Sequence, residues 1–257
     1  MGKVDILTIG NESFLESRRE DHNSTLNAFY EKVAAHVIAH RKKHFGPHGR
    51  TRLYMGALNH LDNPKEIIPA TERWMTFVRE TPDIKGVDIH PHVVSLEAAD
   101  KYLDYVLPRL HEDQKFLVTE FSLVLYWEKH MRDKVSAQFA ERYDVDPVKQ
   151  VWQVIAEAIR NPFTQKKWDD FLSMSPWFES RKGYLTNQVR KFRETGKLAV
   201  ATYSVSQIES MVEGFDPDKK PWLLNPLYAN RTVQQDENGM PGRNYAWFEE
   251  FRALQRS

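Results

Sequence analysis

The sequence predicts an α/β protein built on a mainly parallel sheet. Short apolar runs of strand length alternate with longer segments of helical period, and five such runs occur in 257 residues. That length suits one large domain with a sizeable core, and the alternation assigns residues 1–257 to a single one.

Val4 to Ile9 is the first strand. The helix after it runs from about Ser24 to His44, with Leu26, Phe29, Val33, Val37 and Ile38 on one stripe. Gly46, Pro47 and Gly49 then break the chain. Arg52 to Leu58 is the second strand, followed by a helix from about Pro64 to Thr81 that carries Ile68, Trp74 and Phe77. The third strand, Gly86 to His90, is closed by Pro91, and a helix from about Leu96 to His111 leads to the fourth, Lys115 to Thr119. After Glu120 the period changes. Residues from about 125–194 read as a helical insertion punctuated by Trp127, Trp152, Trp168 and Trp177. Leu198 to Tyr203 is the fifth strand. An irregular stretch from about Gly214 to Arg243 precedes a last helix from Tyr245 to Leu254. No internal repeat or low-complexity tract interrupts this order.

Composition removes several classes of function. Lys plus Arg and Asp plus Glu balance at 36 each, so no global field points to nucleic acid or to an anionic membrane. The basic run from His40 to Arg50 reads as the cation-favoured end of a helix and its loop. The absence of cysteine excludes disulfides, thiolate catalysis and Cys-type zinc sites, and fits a reducing compartment. With no secretory h-region and no apolar span of membrane length, the expectation is a cytoplasmic protein as the sequence stands, and a secreted one if a leader has been lost. The sequons at Asn11, Asn23 and Asn230 read as chance matches. G-x-S-x-G, G-x-x-x-x-G-K-[ST] and G-x-G-x-x-G are all absent, which leaves the α/β-hydrolase, P-loop and Rossmann readings without their chemistry.

Two strands end on a carboxylate: Glu12 follows VDILTIGN and Glu120 follows KFLVT. Retaining cleavage of a glycosidic bond needs such a pair, one protonated and one ionised, about 5–5.5 Å apart. Taken singly, Asn11–Glu12 also fits a turn or helix cap, and Glu120 a solvated strand end. Between them, DIHPH places His90 and His92 at the end of the third strand, where His90 also fits a core histidine bonded to backbone.

The Asn11–Glu12 dipeptide closing one strand, with the lone Glu120 closing a later one, resembles the clan A glycoside hydrolases. These are retaining enzymes on a (β/α)₈ barrel, and the resemblance covers nearly the whole chain. It implies that the five runs are barrel strands four to eight. The fold would then be derived from the barrel and incomplete, lacking three N-terminal βα units or roughly a hundred residues, with the helical insertion after the presumed seventh strand. The resemblance makes Glu12 the general acid/base, Glu120 the nucleophile and Asn11 the partner of the sugar 2-hydroxyl, with no cofactor and no metal. His90 matches a family His, while His92 stands where the family usually has Tyr. A Trp platform is expected after strand eight; ATYSVSQ instead leaves Tyr203, with Trp222, Tyr126 and Trp127 as substitutes. Each of these aromatics could equally pack a core. Asn59 and His60 are further candidates on the rim. The negative charge of Glu120 is expected to raise the pKa of Glu12, and a cationic His92 to depress that of Glu120.

Carbohydrate is thus the expected partner, with no nucleic acid and no membrane. A homo-oligomer is expected to cover the open edges of a five-stranded sheet. Two other readings stay open. His90 and His92, with Glu120 or Asp88 and His60, could hold zinc in a metal-dependent barrel hydrolase. A barrel relic could instead bind carbohydrate without catalysis, or act as a scaffold.

Overall fold

The computed structural model describes residues 3–46 and 49–256. Pro47, in the predicted chain break, and His48, in the basic run, lie outside the described residues. The chain divides into two compact units. One comprises Met1–His92, Glu97–Phe121 and Phe192–Thr202; the other comprises Val93–Leu96, Ser122–Lys191 and Tyr203–Ser257.

The first unit contains the whole sheet: β1 (Ile6–Ile9), β2 (Arg52–Leu58), β3 (Ile84–Ile89), β4 (Lys115–Val118) and β5 (Leu198–Ala201). The five strands lie in the order β1-β2-β3-β4-β5, and every neighbouring pair is parallel. The α/β class, the parallel sheet and the five strands match the sequence reading. β2 and β3 are buried on both faces along nearly their whole length, and β2 past Arg52 accordingly reads as a continuous run without charge rather than an alternating one. Because all strands run the same way, their C-terminal ends share one edge of the sheet. Glu12, Asn59, His90 and Glu120 follow four of those ends.

The helices of this unit are α1 (Ser13–Glu16), α2 (Ser24–Phe45), α3 (Pro69–Glu80) and most of α4 (Leu96–Val106). Asn23 caps α2, its side chain accepting a hydrogen bond from Thr25 N at 2.8 Å. The inward side of α2 differs from the predicted stripe. Leu26, Asn27, Ala34 and Arg41 are buried, whereas Phe29 is 59% exposed. Arg41 replaces an apolar contact with ion pairing, donating to Thr51 O at 3.0 Å and to Asp83 Oδ1 at 2.5 Å. The single helix expected from Pro64 is two pieces, a 3₁₀ turn (Pro64–Glu66) and α3. Pro69 explains the division: it disfavours helical backbone in the residue before it, and Ile68 is extended at φ −104° and ψ 166°.

The second unit holds α5 (Val124–Glu128), α6 (Ala137–Tyr143), α7 (Val151–Arg160), α8 (Gln165–Ser173), α9 (Pro176–Glu179), the start of α10 (Tyr184–Glu194), α11 (Glu209–Val212) and α12 (Trp247–Leu254). Its core is aromatic. The Trp127 ring stacks on Phe178 with centroids 5.9 Å apart and lies 6.1 Å from Trp247, and all three rings are buried. Trp168 packs on Phe171, which in turn meets Phe139. The irregular stretch predicted over 214–243 is ordered by side chains: Asn230 exchanges hydrogen bonds with the backbone of Gln207, whose amide reaches Leu223 O and Thr232. Among the described residues, no helix is long and apolar enough to cross a membrane.

Candidate active site

The site is built from strand ends of the first unit. Beyond β1 the chain turns sharply through Glu12, whose backbone is left-handed at φ 44° and ψ 43°. For a residue with a Cβ this conformation costs about 1 kcal/mol. It is held because Glu12 O accepts from Leu15 N at 2.7 Å and from Glu16 N at 2.8 Å, which starts α1. The side chain is held as firmly. Glu12 Oε1 accepts from Asn59 Nδ2 at 2.6 Å, at the end of β2, and from His90 Nδ1 at 2.8 Å, at the end of β3.

His90 is fully buried and bound on both sides. Its Nε2 lies 2.8 Å from Thr119 Oγ1, and Thr119 Oγ1 donates its single proton to Asp88 Oδ2 at 2.5 Å. The hydroxyl therefore accepts from His90 Nε2–H. Asp88 Oδ1 also accepts from Thr119 N at 3.0 Å. Asp88 on β3 and His90 just past its end are two residues apart, and His90 Nε2 stands 3.8 Å from Asp88 Oδ2. Gly56 on β2 leaves room for Asp88, since a Cβ there would stand 2.7 Å from Asp88 Cβ and 2.4 Å from Thr8 Cγ2. Burial disfavours a charged His90, but Asp88 and then Glu12 outweigh it and push the imidazole up to about 9.

His92 and Glu120 complete the cluster. His92 Nε2 is 3.6 Å from Glu120 Oε2 and 4.0 Å from Glu12 Oε1. One donor atom from each of Glu12, His90, His92 and Glu120 lies within 4.8 Å of the other three. Among the described residues no second group of three or more such side chains converges in this way. The Glu120 side chain is 56% exposed, whereas that of Glu12 is only 13% exposed. Glu120 is held below the ordinary carboxylate range, first by the His92 ring, with burial opposing. Glu12 is also lowered, contrary to the expected rise. The hydrogen bond from His90 is the largest influence; burial opposes it, and Asn59 reinforces it.

The other candidates do not belong to this cluster of four. Asn11 is exposed, and His60, half-buried with a left-handed backbone at φ 54°, lies outside the four-residue cluster. Tyr126, Trp127, Tyr203 and Trp222 belong to the second unit. Trp127 cannot serve as the expected sugar platform, because its ring faces are taken up by Phe178 and Trp247. Tyr203 is buried as well and offers no open ring face. Tyr126 is half-buried and lines a shallow cavity of about 410 Å³ with His130 and Trp177, while Trp222 is half-buried. Thr119 had no place in the sequence reading, although it precedes Glu120 directly. Its role depends on which residue of β3 it faces, and only the strand register supplies that.

Family models, curated proteins and solved structures were each compared with this chain, and none of the three comparisons gives a match.

Proposed function

We propose that the chain hydrolyses β-glycosidic bonds of oligo- or polysaccharides with retention of configuration, on a fold derived from a (β/α)₈ barrel. The observation that carries this reading is the convergence of Glu12 and Glu120 from two strand ends of one parallel sheet. Their nearest donor atoms lie within 4.8 Å. Retaining enzymes work with carboxyl groups about 5–5.5 Å apart, whereas inverting ones leave about 6.5–9.5 Å for a water between them.

Both carboxylates are held below the ordinary range, and they differ in exposure and in their partners. Glu120 is ionised and the more exposed, which suits attack on the anomeric carbon. Glu12 is anchored by Asn59 and His90 and shares a proton with His90 Nδ1 across 2.8 Å. As Glu120 bonds to the anomeric carbon, the bond to the leaving oxygen breaks and that oxygen takes the proton from the Glu12–His90 pair. Water then attacks the glycosyl ester, Glu12 accepts its proton, and Glu120 leaves as the carboxylate.

Turnover of a panel of aryl β-glycosides tests this. Glu120→Ala should abolish hydrolysis with the fold intact by circular dichroism, and unchanged turnover would remove the assignment. Glu12→Ala should lose about 10²–10⁴-fold on poor leaving groups and far less on nitrophenolates, which need no acid. Equal losses on both classes would argue against Glu12 as the acid.

A further inference from the structure

The four side chains at the strand ends are also a donor set for a metal ion, and the shell behind them is arranged accordingly. We propose that Glu12, His90, His92 and Glu120 bind one divalent transition metal ion of the zinc type, and that the bound ion shuts out the sugar. The exclusion rests on the glycosidase reading above; the ion site does not.

The spacing is the first argument. The closest donor distances are 2.8 Å from His90 to Glu12, 3.6 Å from His92 to Glu120 and 4.0 Å from His92 to Glu12. Four ligands at about 2.0–2.1 Å from a tetrahedral zinc ion stand about 3.3–3.4 Å from one another, so small rotations of the outer donors close the set around one point. The chemistry of the donors is the second. Two imidazoles with two carboxylates favour Zn²⁺, Co²⁺ or Ni²⁺ over Ca²⁺ or Mg²⁺, which prefer oxygen throughout. Two carboxylates also neutralise a divalent ion in a partly buried place.

The third argument lies behind the donors. Ligating histidines almost always give their other ring N–H to a carboxylate, a backbone carbonyl or water, which fixes the tautomer and aims the lone pair; here a threonine hydroxyl backed by a carboxylate fills that place. His90 has that support: Nε2–H donates to Thr119 Oγ1, which donates to Asp88, and Asp88 and His90 are both buried. Nδ1 is thereby aimed at Glu12 Oε1, and an arriving ion takes the place of the proton between them. Asn59 holds Glu12 in position from β2. The same ion occupies the oxygen that Glu120 needs for attack.

The test uses the full chain, stripped with a chelator and dialysed against Zn²⁺, with bound zinc measured by atomic emission. One ion per chain is expected, and Co²⁺ in its place should give the visible absorption of a four-coordinate site. Glu120→Gln and His92→Ala should each weaken binding at least about tenfold, and Thr119→Val, which touches no ion, about 10–100-fold. Circular dichroism checks that each variant is folded; Glu120, more than half exposed, is the safest of the three. Zinc that never saturates at one per chain, or that binds Glu120→Gln unchanged, overturns the site. In a second arm, turnover of aryl β-glycosides should fall as zinc fills the site and return on chelation. Zinc bound with turnover unchanged overturns the exclusion. No turnover under any condition removes the glycosidase reading and the exclusion with it, while the dialysis result still decides the ion site.

Discussion

Asp169 and Asp170 are neighbours on α8, yet their surroundings drive their carboxyl groups in opposite directions. Burial pushes Asp169 up to about 6, opposed mainly by a hydrogen bond from Gln165 Nε2 at 2.7 Å. Asp170 is pulled down to about 2, first by Tyr143 Oη–H at 2.6 Å, against burial and with help from Lys166 and Arg142. A folded-state pKa above the unfolded value means that the folded chain binds the extra proton, so stability falls as pH rises through that window. For Asp169 the window runs from about 4 to about 6, and the penalty is complete at neutral pH. Asp170 has the opposite sign: its contribution is present above about 4 and is lost as pH falls toward about 2. Asp169→Asn should therefore stabilise the protein at pH 7 by about 1–2 kcal/mol after solvent screening, with the gain gone near pH 4. Urea unfolding at the two pH values measures this. A gain that persists at the lower pH would mean that the charge is not its source.

β3 and β4 carry much of the site, and their pairing depends on one glycine. Gly86 has φ +146°, and a Cβ there would stand 1.6 Å from Lys115 O, the carbonyl of its register partner. That neighbour is backbone and cannot rotate away, so Gly86→Ala should push the two strands apart at a cost of about 2–4 kcal/mol. It should lower the thermal midpoint and loosen the Asp88–Thr119 bonds farther along the same pair. A melting temperature equal to that of the parent would show that the pairing accommodates the methyl group. The strands themselves were legible in the sequence, because each is an apolar run bounded by breakers, and Arg52 to Leu58 was placed correctly at both ends. Glu12 and Glu120 were legible for the same reason, as carboxylates just past those runs. The chain from Asp88 through Thr119 to His90 was not. It needs the β3–β4 register and the space left by Gly56, and neither is a local property of the sequence. Nor did the sequence reveal that His90 would hold Glu12 below its ordinary pKa. His90 and Asn59 lower that carboxyl while burial raises it, and only distances decide among them.

In the molecule as a whole, β1 forms one edge of the sheet of the first unit, and its inner neighbour β2 is the one strand it pairs with among the described residues. Its first three residues are only half-buried. Parallel strands are normally covered on both faces and at their edges, because an open row of N–H and C=O groups invites pairing. Apolar side chains stand exposed in the same part of the chain: Val4 at 48%, Leu15 at 53% and Phe29 at 59%, the last on α2, which packs on β1. A net charge of zero puts no long-range repulsion between copies. A second copy of the chain is therefore the expected cover, with about 800 Å² buried on each side if the association is stable. Light scattering should give twice the chain mass at micromolar concentration. Phe29→Glu, which places a charge on the exposed face of α2 without touching its buried residues, should return the protein to one chain per particle with the helix content unchanged. A parent protein that stays monomeric over the whole concentration range would show that this edge is tolerated in water, and Phe29→Glu would then change nothing.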